Sequence, residues 1–146
     1  MAGELIVEKI ENGTVIDHIP AGMGLKVLSI LKVDAGSKVA LLMNVASKRL
    51  GSKDIVKISE KKLDENEVNR IALVAPNATL NIIQNGTVVE KNEVHLPKSL
   101  YGVANCPNPK CITNNERVKT HFTQEKNSRF RCHYCEMLFD TSELSF

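Results

Sequence analysis

The sequence predicts an α+β protein, an antiparallel sheet with two helices followed by a small all-β unit, and three observations carry that prediction. Strand-like and helix-like stretches follow one another in the first hundred residues as strand, helix, strand, strand, helix, strand. All six aromatic residues, Tyr101, Phe122, Phe130, Tyr134, Phe139 and Phe146, lie beyond position 100. The four cysteines, at positions 106, 111, 132 and 135, are confined to the same stretch. Two compositions in one chain mark two domains, residues 1–97 and 101–146. The break falls at His95-Leu96-Pro97-Lys98-Ser99, where proline interrupts a strand-like run.

Leu5-Ile6-Val7 is β-rich, and Asn12-Gly13 is a turn dipeptide because both residues tolerate positive φ. Thr14 to Ile19 reads as a buried strand with two polar residues, Asp17 and His18, near its end. Pro20 suits the first turn of a helix that continues through Leu25, Leu28 and Leu31, with Val27 and Ile30 widening its apolar face. Lys38 to Val45 and Asp54 to Ser59 are two further strands joined by the basic loop from Ser47 to Lys53. The second helix has a start signal: Asp64 caps it, Glu67 completes a capping box, and Leu63 with Val68 form a staple. Pro76 ends it. Thr79 to Ile83 and Thr87 to Val94 flank Asn85-Gly86, a strong hairpin signal. This order is the split βαβ, ferredoxin-like pattern, a permissive fold that names no function. RNA binders of this fold stack bases on aromatic side chains of the sheet. This sheet has none, so any base held here rests on aliphatic contacts and hydrogen bonds.

Cys106-Pro107-Asn108-Pro109-Lys110-Cys111 and Cys132-His133-Tyr134-Cys135 form C-x4-C and C-x2-C pairs. Four thiolates about 2.3 Å from one ion complete a tetrahedron and leave no open position, so the spacing predicts one closed, structural zinc site. Disulfides are the alternative, but a cytosolic chain disfavours them. A redox role for the C-x2-C pair leaves the other two cysteines unexplained. His133 is a further possible ligand, although it lies inside the knuckle. A unit of this size is near the limit at which a chain folds without a staple.

The 146 residues are 42% hydrophobic and 25% charged, the balance of a soluble globular protein, and the net charge of +2 makes no strong case for nucleic acid or membrane. The opening MAGELIVEKI lacks the apolar core of a signal peptide, and no run approaches the ~18 apolar residues of a spanning helix. A cytoplasmic protein is expected. In the second domain Lys110, Arg117, Lys119, Lys126, Arg129 and Arg131 are offset by Glu116, Glu125, Glu136, Asp140 and Glu143. That balance favours protein docking over nucleic acid, which wants a cationic excess. Enzymatic signals are weak. Gly22-Met23-Gly24 lacks the third glycine of a dinucleotide fingerprint, and no GxxxxGK[ST] or GxSxG occurs. Asp17 and His18, as neighbours on a strand, are expected to point to opposite faces.

From Gly13-Thr14-Val15-Ile16-Asp17-His18-Ile19-Pro20-Ala21 the chain resembles the regulatory chain of aspartate carbamoyltransferase. The resemblance continues through Lys53-Asp54-Ile55-Val56-Lys57-Ile58, Leu73 to Thr79, Cys106-Pro107-Asn108 and Cys132-His133-Tyr134-Cys135-Glu136, in colinear order over roughly Leu5 to Phe139. It implies a non-catalytic subunit of pyrimidine synthesis, with an N-terminal allosteric domain and a C-terminal zinc domain. CTP and ATP would share one site, with UTP acting beside CTP. Lys57 and Lys91 would hold phosphate and sugar groups, Asp17 the ribose, and His18 would lie near the phosphates. Val7, Glu8, Ile10, Asn81, Ile83 and Val88 would surround the base. One zinc per chain on Cys106, Cys111, Cys132 and Cys135 would shape the unit that grips the catalytic chain, while the N-terminal domain pairs with its twin. Gly86 stands where family members can carry a larger residue near the base. No DNA, RNA or membrane partner is implied. The alternative from another class is a zinc-ribbon nucleic-acid binder.

Overall fold

The computed structural model describes residues 10–146, and two compact units are distinguished: residues 1–63 with 77–93, and residues 64–76 with 94–146. The strand expected at Leu5-Ile6-Val7 lies outside the described residues.

In the first unit β1 (Gly13–Pro20), α1 (Gly24–Ile30), β2 (Val39–Ser47), β3 (Gly51–Ser59), β4 (Thr79–Gln84) and β5 (Thr87–Glu93) follow in order, with α2 (Glu65–Val74) between β3 and β4 in the chain. The strands form one sheet in the order β2-β3-β1-β4-β5, and every adjacent pair is antiparallel. The first four strands reproduce the ferredoxin-like arrangement, and β5 extends it at one edge. One face is closed by Ile16, Ile19, Val56, Ile58 and Leu80 together with Val27, Ile30 and Leu31 from α1 and its end, all buried. The period-2 burial of β1 and β3 is the signature of a half-buried sheet.

Three expectations shift. Pro20 ends β1 rather than starting a helix, and α1 begins at Gly24. The reason is local: Pro20 pairs with Lys53 across the sheet, and a buried carboxylate, Asp54, collects the amides of the turn that follows. The inward seam of α1 is Val27, Ile30 and Leu31, whereas Leu25 is exposed. Gly24 sets that rotation, because a Cβ there would stand 2.7 Å from Leu41 Cδ1 and 2.9 Å from Asp54 Cβ. The helix comes closest to the sheet at Gly24, and residues three and six or seven further on share its face. Third, most of the basic stretch from Ser47 to Lys53 is strand, since Ser47 pairs with Gly51 and Ala46 with Ser52.

Two local signals are realised. Asp64 Oδ1 accepts the Glu67 amide at 2.8 Å and Glu67 Oε1 accepts the Asp64 amide at 3.3 Å, a capping box. Asn85 and Gly86 take φ of 53° and 78°, the left-handed pair that a two-residue hairpin turn demands.

The second unit is a four-stranded antiparallel sheet in the order β6 (Ser99–Tyr101), β7 (His121–Glu125), β8 (Arg129–Cys132) and β9 (Leu138–Asp140), with a one-turn helix α3 (Ile112–Asn115) and α2. Its core joins Leu73, Leu100, Val103, Phe122, Phe130, Phe139 and Leu144 to three of the cysteines. Phe122 and Phe139 meet edge to face, their centroids 6.5 Å apart. Three of the six aromatic residues, Phe122, Phe130 and Phe139, fill this small core with large rings, whereas Tyr101, Tyr134 and Phe146 are exposed.

Candidate metal centre and effector face

The four cysteines come from four positions of the second unit. Cys106 follows Asn105, which bridges to Ser145, and Cys111 caps α3. Cys132 ends β8, and Cys135 closes the turn after it. Their Sγ atoms all lie within 4.8 Å of one another. Cys106 and Cys135 are 3.7 Å apart, as are Cys111 and Cys132. Disulfide sulfurs are about 2.05 Å apart. Four sulfurs about 2.3 Å from a central zinc stand about 3.8 Å from one another. The cluster therefore fits one tetrahedrally held ion, and the chain carries a single structural metal, for which zinc is the usual ion.

Donors surround these sulfurs. The Tyr134 amide points at Cys132 Sγ (3.4 Å), and the Thr113 hydroxyl donates to Cys111 Sγ (3.2 Å). Burial raises the Cys106 and Cys132 thiols. At Cys111 burial is again the largest single influence, but the hydroxyl and amide of Thr113 together with the neighbouring thiols outweigh it and bring the group down to about 7. A bound divalent cation deprotonates a coordinating thiol outright. His133 is not in the cluster. Its ring stacks on His121 at 3.8 Å and its Nε2 meets Thr123 Oγ1 at 3.0 Å.

On the first unit the open face of the sheet is organised by register. Lys57 pairs with Val15, Val15 with Asn81, and Asn81 with Lys91. Directly paired residues share a face, so two ammonium groups and one amide occupy a single row across β3, β1, β4 and β5. Three strand spacings separate Lys57 from Lys91 at the backbone, about 14 Å. Neither lysine is in an ion pair among the described residues. Ile83 pairs with Val88 after a register shift, one row nearer the hairpin. Ile10 and Lys57 line a cleft of about 800 Å³ with Lys38, Ala40 and Ser59. Val7 and Glu8 lie outside the described residues.

Asp17 and His18 do not follow strand alternation. The register with β3 slips between Ile16 and Ile19, and His18 takes a φ of 58°. This bulge brings both side chains to the open face. His18 Nδ1 meets the hydroxyl of Thr79, the residue paired with Asp17, at 3.0 Å. Asp17 accepts the His18 amide at 2.6 Å and holds Lys53 Nζ at 3.0 Å.

Sequence reasoning did not single out Lys53 or Asp54. Lys53 lies four residues before Lys57 on one strand, hence on the same face, and that spacing was the available signal. Asp54 faces the opposite way and is fully buried. Its Oδ2 accepts the amides of Gly22 (3.0 Å) and Gly24 (2.9 Å), and its Oδ1 accepts that of Asn44 (3.0 Å). No sequence pattern announces it.

Among the described residues no helix is long and apolar enough to cross a membrane. Comparison with known proteins gives a consistent result across the chain. The family model "Aspartate carbamoyltransferase regulatory chain, allosteric domain" matches residues 5–95, and the model of the metal binding domain of the same regulatory chain matches residues 98–145. The chain is similar to the aspartate carbamoyltransferase regulatory chain of Pyrococcus horikoshii, at 56% identity over 97% of this chain and 96% of the relative. It is 48% identical to that of Sulfolobus acidocaldarius, over 97% of this chain and 89% of the relative. With that of Saccharolobus solfataricus it shares 52% over 92% of this chain and 87% of the relative.

Proposed function

We propose that this chain, which belongs to the aspartate carbamoyltransferase regulatory-chain family, binds a nucleoside triphosphate on the open face of its first sheet and grips the catalytic chain through its metal-bound second unit. It is a regulatory, non-catalytic subunit with an allosteric and a metal-binding domain. We divide the two near Pro97, with Cys106, Cys111, Cys132 and Cys135 as the metal ligands.

The observation that carries the effector reading is the row Lys57–Val15–Asn81–Lys91. Two ammonium point charges, in no ion pair among the described residues, suit a triphosphate, and an amide between them suits the polar edge of a base. Ile83 and Val88 add aliphatic surface where the sheet has no ring to stack on. Asp17, already fixed by Lys53 and the His18 amide, offers a carboxylate to ribose hydroxyls. His18 lies beside it. CTP, ATP and UTP carry the groups this face is arranged to meet. Val7, Glu8 and Ile10 complete the base side of the site.

Two surfaces support the assembly reading. Around the cysteines Ile112, Tyr134 and Met137 are exposed, an apolar patch suited to a protein partner, for which we name the catalytic chain. Among the described residues the first sheet has β2 and β5 at its edges, each paired on one side. β5 carries Glu90, Lys91 and Glu93, and charges of this kind discourage edge pairing. β2, Val39 to Ser47, carries no charge and exposes Val39 and Met43, so it is the edge through which two copies pair.

The test is calorimetry with CTP, ATP and UTP on the purified chain, alone and with its catalytic chain. Saturable nucleotide binding to the isolated chain and co-elution with the catalytic chain are expected. Absence of nucleotide binding in both preparations would overturn the effector reading.

A further inference from the structure

Three consecutive side chains of α3 turn back on the loop that carries the first two cysteines. Asn114 Nδ2 donates to the carbonyls of Cys106 (2.8 Å) and Asn108 (2.7 Å). Asn115 Nδ2 donates to those of Pro109 (3.2 Å) and Cys111 (2.9 Å). The Thr113 hydroxyl donates to Cys111 Sγ (3.2 Å). Both amides face carbonyl oxygens, which accept only, so the orientation of each asparagine is fixed by its partners.

The composition of the loop explains why help comes from outside it. Pro107 and Pro109 have no N–H to donate. The loop's own closures are the Cys111 amide on the Asn108 carbonyl and the Lys110 amide on Asn108 Oδ1. Four loop carbonyls are then met by two side-chain amides that lie beyond the second cysteine. The C-x2-C pair is built differently. There the Glu136 amide returns to the Cys132 carbonyl at 2.9 Å and the Tyr134 amide points at the Cys132 sulfur, so backbone amides make its closures, and the side chain of Arg131 meets the Glu136 carbonyl just beyond it at 2.7 Å.

We propose that Thr113, Asn114 and Asn115 are positioning residues of the metal centre: they hold the C-x4-C loop in its ligating shape and set a hydrogen-bond donor on Cys111. Metal retention then depends on three side chains that do not touch the metal, and the C-x4-C side is the one that opens first. The inference rests on the reading of the four cysteines as ligands of one ion. Partners that orient metal ligands are typically worth 10–100-fold in metal affinity.

The experiment measures zinc transfer from the full chain to a chromophoric chelator, for the wild type and for N114D, T113V and T113S. N114D replaces two donors by an acceptor facing two carbonyls, and we expect zinc affinity to fall at least about tenfold. T113V is expected to release zinc faster, and T113S, which keeps the hydroxyl, to restore the wild-type rate. Should N114D fold poorly, the zinc concentration at which circular dichroism reports folding is the second reading, expected to rise by a similar factor. A wild-type chain without one equivalent of zinc would remove the metal centre itself. A zinc-loaded wild type whose N114D and T113V variants both stay within about twofold of it would overturn the positioning role alone.

Discussion

Replacing Lys57 and Lys91 separately by alanine tests the effector face most directly, because the two lysines share a row but not an environment. Lys91 is exposed on the edge strand β5, whereas Lys57 is half-buried on the interior strand β3 at the mouth of the cleft. A unit charge pair 4 Å apart is worth about 1 kcal/mol in bulk water and about 4 kcal/mol at the effective dielectric near a protein surface. Lys91 belongs near the lower figure, so Lys91→Ala is expected to weaken triphosphate binding by roughly 5–10-fold, about 1–1.4 kcal/mol. Lys57→Ala is expected to cost roughly 10–100-fold, about 1.4–2.8 kcal/mol. Salt separates the two further. Between about 0.01 M and 0.15 M the Debye length shrinks from about 30 Å to 8 Å, which erodes an exposed contact more than a sheltered one. Calorimetric titration of CTP and ATP at both ionic strengths, on chains shown to assemble normally, reads these differences. If both variants bind within twofold of the wild type, neither ammonium touches the ligand and the row has no part in recognition.

Other expected outcomes concern stability and assembly. Cys132→Ser is expected to lose the metal and with it association with the catalytic chain, while calorimetry still detects CTP on the first unit. Asp54→Ala strips three amides of their acceptor, that of Gly24 buried and those of Gly22 and Asn44 only partly so; at roughly 1–3 kcal/mol for the first and about 0.5–1.5 kcal/mol for each of the others, denaturant titration should show a loss of about 2–6 kcal/mol. Phe130→Ala removes a fully buried ring from the second unit and should lower its stability by about 3–5 kcal/mol, read by near-ultraviolet circular dichroism. Met43→Lys places a charge on the uncharged edge strand β2, and sedimentation should show a shift from dimer to monomer.

What the sequence made legible was local chemistry. The Asp64–Glu67 capping box and the Asn85-Gly86 turn are decided by residues within four positions of one another, and both are found as expected. The metal centre was legible for a related reason: two short cysteine spacings each define half of a tetrahedron. The facing of α1 was not, because Leu25, Leu28 and Leu31 match a helical stripe as well as Val27, Ile30 and Leu31 do. The choice between them is made by Gly24 against Leu41 and Asp54, residues far along the chain. The bulge at His18 was hidden in the same way. Strand alternation set Asp17 and His18 on opposite faces, yet the register that β1 must keep with β3 and β4 puts His18 at positive φ and both side chains on one face. The row of Lys57, Asn81 and Lys91 is likewise a property of pairing, for nothing in the spacing of those residues says that they meet.

The two units are stabilised by different means, and that difference makes their failures separable. In the first, strands alternate buried and open residues, and Asp54 ties β3 to the turn before α1 and to β2. Nothing in that arrangement calls on a metal. In the second, three phenylalanines and a few aliphatic residues share the core with the cysteines themselves. A core of that extent rarely supplies more than about 3–5 kcal/mol, whereas structural zinc contributes roughly 10–16 kcal/mol in small peptides. Chelation should therefore unfold the second unit cooperatively, since the thiols freed of metal are also core residues whose packing is lost with it. The sheet that carries Lys57 and Lys91 should keep its far-ultraviolet signal and its affinity for nucleotide through the same titration. A single transition in which both signals vanish together would mean that the first sheet cannot stand without the metal.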